Sequence, residues 1–184
     1  MPEPITRADA QRNRARILEV AAQAFREDTD ASLNQIAKRA GVGAGTLYRH
    51  FPTREALLLG VYKEEIDALE RSVGPLLAEQ EPLDAFRTWS RDLAALVRIK
   101  HGLGDALATP AAQAVIDATY APVTAAIGAL LDAAVAHGDI GPGADAGDVL
   151  LLLSALWRVP EGEAGLVQAD RILEMVVGSL PAPA

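Results

Sequence analysis

Apolar residues recur at helical spacing in almost every segment of this 184-residue chain, and no stretch keeps up an alternation of period two. The abundance of Ala and Leu favours the same interpretation, because both residues stabilise helices. Half of the residues are hydrophobic, which is enough for a buried core at this length. The sequence therefore predicts an all-α fold of about nine helices.

The first predicted helix runs from about Asp9 to Glu27. A second begins after Ser32, which has Gln35 three residues on in the spacing of a capping box, and it stops at Gly41. The fourth is expected to end at Gly74-Pro75, and the piece between the fifth helix and Thr119 to be less regular. The remaining predicted helices cover 44–50, 82–101, 121–137, 144–158 and 163–179.

Several classes of protein are excluded or disfavoured by composition. The chain has no cysteine, so a disulfide framework, a thiolate metal site and a cysteine nucleophile are excluded. No metal or cofactor site is predicted. The longest apolar run, from Val149 to Trp157, is too short to span a bilayer, and the first ten residues have no secretory pattern. We expect a cytoplasmic protein without a membrane partner.

Charge is distributed unevenly along the chain, whose net charge is −8. Through Arg54 there are nine Lys and Arg against six Asp and Glu, a net of +3. The remainder has eight against nineteen, a net of −11. A basic segment joined to an acidic body can approach phosphate with one end, although arginines that only solvate helix faces would give the same totals.

Two short helices around Gly41 form a helix-turn-helix pattern, whose second helix can enter the major groove of DNA. In that second helix Leu47 and Phe51 fall on one inward row, so the other rows are exposed. Those rows carry Ala44, Gly45, Thr46, Tyr48, Arg49 and His50, and Arg54 follows. Such side chains suit phosphate binding and base reading, although each one alone could equally be structural.

Residues 32–57, SLNQIAKRAGVGAGTLYRHFPTREAL, resemble the DNA-binding signature of TetR-type transcriptional regulators, and Arg14 to Phe25 is similar to that family's first helix. The resemblance implies a helix-turn-helix DNA-binding domain at 1–54. It also implies an effector-binding and dimerisation domain at 55–184. The partners would be double-stranded operator DNA, a small molecule and a second copy of the chain, and repression would be released by the small molecule.

Carried over residue by residue, the resemblance assigns phosphate contacts to Thr46, Tyr48, His50 and Arg54, assisted by the amide of Gly45. Asn34, Arg49 and Ala44 become candidates for base edges, and Ser32 completes the predicted DNA-binding set. The sequence departs from the family's pattern at two places, and both weaken the expected contacts to base edges. Gly43 stands where a serine-like cap is usual, and Ala44 and Gly45 offer no side-chain hydrogen bond.

The C-terminal part carries the predicted effector pocket and dimer interface. Aromatic residues there could equally pack a core. The candidate pocket residues are Phe86, Trp89, His101, Tyr120, Thr124 and Trp157, with Met175 as a further wall. The helices at 144–158 and 163–179 are apolar on more than one face, which predicts a homodimer through this pair with Leu173 inside the interface.

Two other functions are compatible with parts of this sequence. An enzyme would need Gly41 to Thr46 as a phosphate loop, or Ser90, Asp92 and His101 as a catalytic group. The loop lacks its Lys and a preceding strand, and Ser90 lacks a nucleophile-elbow sequence, so no catalytic residue is predicted. An architectural DNA-binding protein without an effector keeps the same N-terminal third and stays open.

Overall fold

The computed structural model of the protein describes residues 7–28, 30–101, 109–160 and 162–183. Regular structure in these ranges is helical throughout, which confirms the all-α prediction. The helices are α1 (Arg7–Glu27), α2 (Leu33–Arg39), α3 (Ala44–His50), α4 (Arg54–Glu79), α5 (Pro82–His101), α6 (Pro110–Asp117), α7 (Tyr120–His137), α8 (Ala146–Leu153) and α9 (Glu163–Gly178), with a 3₁₀ turn at Ser154–Arg158 after α8.

Two hydrophobic cores divide the molecule, and α4 belongs to both. The first core joins α1, α2 and α3, and it includes Leu57, Leu58 and Val61 from the start of α4. The second core joins α5, α7, α8 and α9, and it takes Ile66 and Leu69 from the middle of α4. One continuous helix therefore links the two cores.

The predicted end of α4 at Gly74-Pro75 is wrong, since the helix continues to Glu79. A proline removes a helical hydrogen bond and clashes with the Cβ of the residue before it. Gly74 has no Cβ, so most of the second cost is absent. Leu76 and Leu77 pack against the second core, which holds the last turn in place.

Two further segments differ from the prediction. The piece before Thr119 contains α6, which begins at Pro110, a position where proline is favoured because the first helical amide has no partner. The helix predicted over 144–158 is α8 followed by the tighter 3₁₀ turn. Asp145 caps α8 by accepting from the amides of Gly147 and Asp148.

One stretch, Gln113–His137, is long and apolar enough to cross a membrane by length and composition, with a mean hydropathy of 1.5. It contains α7, whose Val123, Ile127 and Leu130 are buried in the second core. The branched aliphatic side chains of α7 thus pack within the protein.

Candidate nucleic-acid interface and cavity

The helix-turn-helix begins at α2, which is capped as its sequence predicts. The Ser32 side chain accepts from the amide of Gln35, and the Gln35 side chain accepts from the amide of Ser32 at 2.8 Å. At the other end Gly41 has a φ of +65°, a left-handed conformation that favours glycine. The chain therefore leaves α2 in a tight turn toward α3.

The second helix of the pair, α3, is held by its inward row. Leu47 is fully buried and Phe51 is 3% exposed. The amide of Val42 donates to the carbonyl of Ala37 at 3.0 Å, which fixes the turn. Gly43 is the N-cap of α3 and makes no side-chain cap hydrogen bond, so this helix begins without the support that α2 has.

The predicted DNA contacts differ in exposure. The exposed ones are Ser32, Asn34, Ala44, Gly45, Tyr48 and Arg49, and the half-buried ones are Thr46, His50 and Arg54. The hydroxyl of Ser32 is occupied by the cap, where it donates to Gln35 Oε1 at 2.7 Å. The predicted side chains on α3 thus share its outward surface, with Tyr48 44% exposed.

Arginines around α3 have three kinds of surroundings. Arg26 forms an ion pair with Glu65 at 2.7 Å, and Arg39 pairs with Glu27 at 2.6 Å, which lowers the pKa of Glu27. The Arg54 guanidinium lies 5.2 Å from the centroid of the Phe25 ring. Arg49 has no ion-pair partner among the residues that the structure describes. No residue that the structure describes neutralises its charge.

Arg14 is a further candidate for DNA contact that the sequence analysis missed. Its guanidinium lies 5.3 Å from the centroid of the Phe51 ring, at the C-terminal end of α3. The contact joins residues 37 positions apart, so no local pattern indicates it. Arg14 thus adds a positive charge at the Phe51 ring, whose centroid lies 6.3 Å from that of His50.

A cavity of about 200 Å³ lies in the C-terminal body between α4, α5, α6, α7, α8 and the 3₁₀ turn. Its aliphatic wall consists of Ile66, Leu93, Ile116, Val123 and Leu150. Tyr120 and Trp157, both predicted pocket residues, line it together with Tyr62 and Thr119, which the sequence analysis did not single out. The cavity thus draws its wall from helices far apart in the sequence.

The other predicted pocket residues lie elsewhere. Phe86 and Trp89 are fully buried in the second core, and the Trp89 Nε1 donates to the carbonyl of Leu69 at 2.9 Å. Thr124 donates its hydroxyl to carbonyls of its own helix. Met175 is 73% exposed on α9, and the side chain of His101 lies outside the described residues. Pocket and core are both apolar, so residue type alone does not separate them.

Two hydroxyls in the cavity wall already have partners. Thr119 donates to the carbonyl of Ile116 at 2.6 Å, and its oxygen lies 3.2 Å from the Tyr62 hydroxyl. Burial raises the pKa of Tyr62, because its charged form would lose solvation. The Tyr62 phenol is therefore neutral near pH 7.

Two members of the rival catalytic group, Ser90 and Asp92, have described side chains, and they do not hydrogen-bond to each other. Ser90 is 1% exposed, and its hydroxyl has no hydrogen-bond partner among the described residues. Asp92 lines a surface groove with Arg26 and Glu65, and burial raises its pKa. A nucleophile needs a base within hydrogen-bond reach, which Ser90 lacks in the described part of the chain.

Comparison with known proteins covers both halves of the chain. Residues 17–61 match the family described as bacterial regulatory proteins, tetR family. Residues 81–181 match the transcriptional regulator SbtR-like C-terminal domain. An HTH-type transcriptional regulator of Staphylococcus aureus strain USA300 is 44% identical over 63 residues, which are 33% of this chain and 34% of that protein. The chain thus matches about a third of the length of such curated relatives.

Two solved structures resemble the whole chain. The TetR transcriptional regulator SCO0520 from Streptomyces coelicolor is 37% identical, with a TM-score of 0.76, and the match covers 93% of this chain and 99% of that one. A TetR transcription regulatory protein from Mycobacterium vanbaalenii is 32% identical, with a TM-score of 0.72, over 96% of this chain and 99% of that one. The likeness extends through both cores.

Proposed function

The chain belongs to the TetR family of helix-turn-helix transcriptional regulators, and from this premise we propose that it is a repressor that binds palindromic operator DNA as a homodimer. The observation that carries the proposal is the outward surface of α3. Tyr48 and Arg49 are exposed there beside the fully buried Leu47, and Arg49 has no acidic partner in the described part of the chain. A helix anchored on one row, with a phenol and an arginine exposed on the others, suits the major groove. Operator DNA lies in the cytoplasm, where we place the protein.

A dimer is supported by apolar side chains left on the surface of the last two helices. They form what we name the α8–α9 face, which consists of Leu151, Leu152, Leu166, Val167 and Met175. Their exposure ranges from 49% to 73%. Such patches mark protein interfaces, and a two-fold axis through this pair of helices would present two copies of α3 to DNA.

Leu173 does not belong to this face. It is 1% exposed and packs within the second core of its own chain. Its expected place inside the interface is therefore wrong, because the inner row of α9 faces α8 and the core of the same chain. The exposed Met175, two positions farther on, lies on the opposite side of α9.

We propose that a small-molecule effector occupies the cavity and releases the DNA. One contact supports a connection between the two sites. Thr109 donates to Glu55 at 2.6 Å, so the chain immediately before α6 is joined to the first turn of α4. Ile116 on α6 lines the cavity, and Arg54 begins α4. A ligand that moves α6 would pull on the helix that follows the DNA-binding element.

The test is selection of binding sites from random duplexes by the purified protein. We expect inverted repeats, because identical helices related by a two-fold axis must meet related half-sites. Recovery of asymmetric or unrelated sequences would contradict the proposal. A footprint upstream of the protein's own gene, repeated with a metabolite library, then separates a ligand-released repressor from an architectural protein, whose footprint no metabolite would change.

A further inference from the structure

Aromatic side chains are concentrated at the cavity. The chain has only three Tyr and two Trp residues, and Tyr62, Tyr120 and Trp157 all line this one space of about 200 Å³. The face of an aromatic ring carries partial negative charge, and sets of rings around a small space attract cations, alkylated ammonium groups above all. Core packing alone does not require aromatic rings around a space that stays open.

The charged groups that the structure describes around the cavity have one sign. Asp117 lines it, and neither Lys, Arg nor His does so among the described residues. Asp117 accepts a hydrogen bond from Gln113 at 2.7 Å and has no cationic partner in the part of the chain that the structure describes. A second groove, which shares Tyr120 and Trp157 with the cavity, adds Asp145 and Asp148. These carboxylates would repel an anionic ligand both in the cavity and in the neighbouring groove.

The two hydroxyls of the wall already have partners, and the Trp157 N–H, which has none among the described residues, is itself buried. The hydroxyls of Tyr62 and Thr119 contact each other, and the Thr119 proton is donated to Ile116. The rest of the wall is aliphatic, apart from the aromatic rings and Asp117. The surface offered to a ligand is therefore apolar and aromatic, with a carboxylate as its charged group.

We infer that the cavity binds a small organic cation, an alkylated ammonium group on an apolar body, with the aromatic rings and Asp117 recognising its charge. This inference rests on the proposed function, since it names the ligand class of the proposed effector site. Cation–π attraction and the carboxylate distinguish such a ligand from an uncharged one of the same shape. Burial of apolar surface favours both equally.

The experiment compares benzyltrimethylammonium with neopentylbenzene, which replaces the charged nitrogen by carbon and keeps the shape. Both are titrated into the full-length protein by calorimetry at low ionic strength. We expect the cation to bind about tenfold more tightly, because ring contacts of this kind contribute about 0.5–2 kcal/mol each and a factor of ten is about 1.4 kcal/mol. Equal affinity would mean a merely apolar cavity and would overturn the inference, as would binding of neither compound.

Two pairs of variants locate the binding. Tyr120 is 58% exposed, so Tyr120→Leu should fold, and it should weaken the cation roughly two- to fivefold by removing one ring. Tyr120→Phe keeps the ring and should restore the affinity. Asp117→Asn should weaken the cation severalfold at low salt and less at high salt. Asp132→Asn, an exposed change on α7 about 18 Å along that helix from Tyr120, is its matched control.

A cation that binds with undiminished affinity to both Tyr120→Leu and Asp117→Asn lies outside the cavity, which would also overturn the inference. Operator binding by the wild-type protein without any added compound is measured in parallel. If it fails, the proposed regulator fails, whereas the cation result stands or falls on the calorimetry alone.

Discussion

Arginine residues near α3 illustrate how surroundings decide what a side chain can do. Arg26 and Arg39 are held by carboxylates, and Arg54 lies over the Phe25 ring. Arg49 has neither an ion pair nor a ring contact among the described residues. We therefore expect Arg49 to reach a base edge, and for Arg54 we keep the phosphate contact that the family resemblance implies.

Substitution of these two arginines should distinguish a contact to the DNA backbone from a contact to a base edge. Arg49→Ala should cost about 1–3 kcal/mol on the operator and relax the choice of base at one position in each half-site. Arg54→Ala should weaken specific and non-specific duplexes alike and reduce the salt slope by about one unit. Titration of both variants against the operator and its single-base variants, at several salt concentrations, measures these effects.

Thermal melting of the same variants is the control, because Arg54→Ala also removes a ring contact that stabilises the fold by about 0.5–1 kcal/mol. If Arg49→Ala lowers the affinity for every base variant by the same factor, Arg49 contacts the DNA backbone and its assignment to a base edge is wrong.

Gly60 on α4 packs directly against the end of α3. A Cβ at this position would lie 2.8 Å from a ring carbon of Phe51 and 3.0 Å from Leu18, both of which are buried. We expect Gly60→Ala to lower the free energy of unfolding by roughly 1 kcal/mol, since overpacking costs about 1–3 kcal/mol and the better helix former returns about 1. Chemical denaturation measures the change.

Gly128 on α7 is the matched control, because a Cβ there meets nothing within 4 Å. Gly128→Ala should raise the free energy of unfolding by about 0.5–1 kcal/mol. Stabilisation by Gly60→Ala of the same size would contradict the close contact with Phe51.

Among the elements, helices with strong local signals were predictable. The capping box of Ser32 and Gln35, the stop at Gly41 and the inward Leu47 all follow from residues a few positions apart, and the structure has each of them. The outward surface of α3 follows from the same spacing. Its assignment to DNA contacts stays a prediction, since geometry alone does not identify a ligand.

The errors arose where long-range packing decides the outcome. Helix α4 passes through Pro75 because Leu76 and Leu77 bind to a core formed by other helices. On α9 the apolar residues cover two sides, and the sequence does not say that Leu173 faces its own core while Met175 faces outward. The cavity depends on helices that only the fold brings together, which explains why Tyr62 was missed.

The C-terminal end of α7 carries a pH-sensitive cluster. His137 lies 2.9 Å from Glu81 and 2.9 Å from Asp139, and a hydrogen bond to Asp139 raises the pKa of His137. A raised pKa in the folded state means that the contribution to stability is full below the ordinary value of about 6.5 and is lost as the pH rises through the folded value.

We therefore expect His137→Gln to melt at a lower temperature than the wild type at pH 5.5 and at the same temperature at pH 9. Melting curves of both proteins across this range give the difference in melting temperature at each pH. The effects of the other titrating groups are common to both proteins and cancel in this difference. A difference that stays constant with pH would show that His137 acts through packing and not through its charge.

At the scale of the whole molecule, the α8–α9 face predicts the oligomeric state. Leu152→Glu places a charge at a position that is 49% exposed in one chain, so the protomer should stay folded while the dimer dissociates. Monomers present only one copy of α3, so operator binding should be lost as well. Light scattering, circular dichroism and operator titration together measure the three properties.

Two further variants serve as controls for this prediction. Ala78→Glu adds the same charge at an exposed position on α4 and should leave the dimer intact. Leu173→Glu buries a charge in the core of one chain and should unfold it. An intact Leu152→Glu dimer with wild-type DNA affinity would exclude this face as the interface.

The two tryptophans differ in a way that makes the protein its own optical reporter. Trp89 is sealed in the core with its N–H bonded to Leu69, whereas Trp157 lines the cavity with its N–H unpartnered among the described residues. A ligand in the cavity would quench or shift the emission of Trp157 and leave that of Trp89 unchanged. Intrinsic fluorescence should therefore resolve into one component that follows cavity occupancy and one that follows global unfolding, without any attached dye.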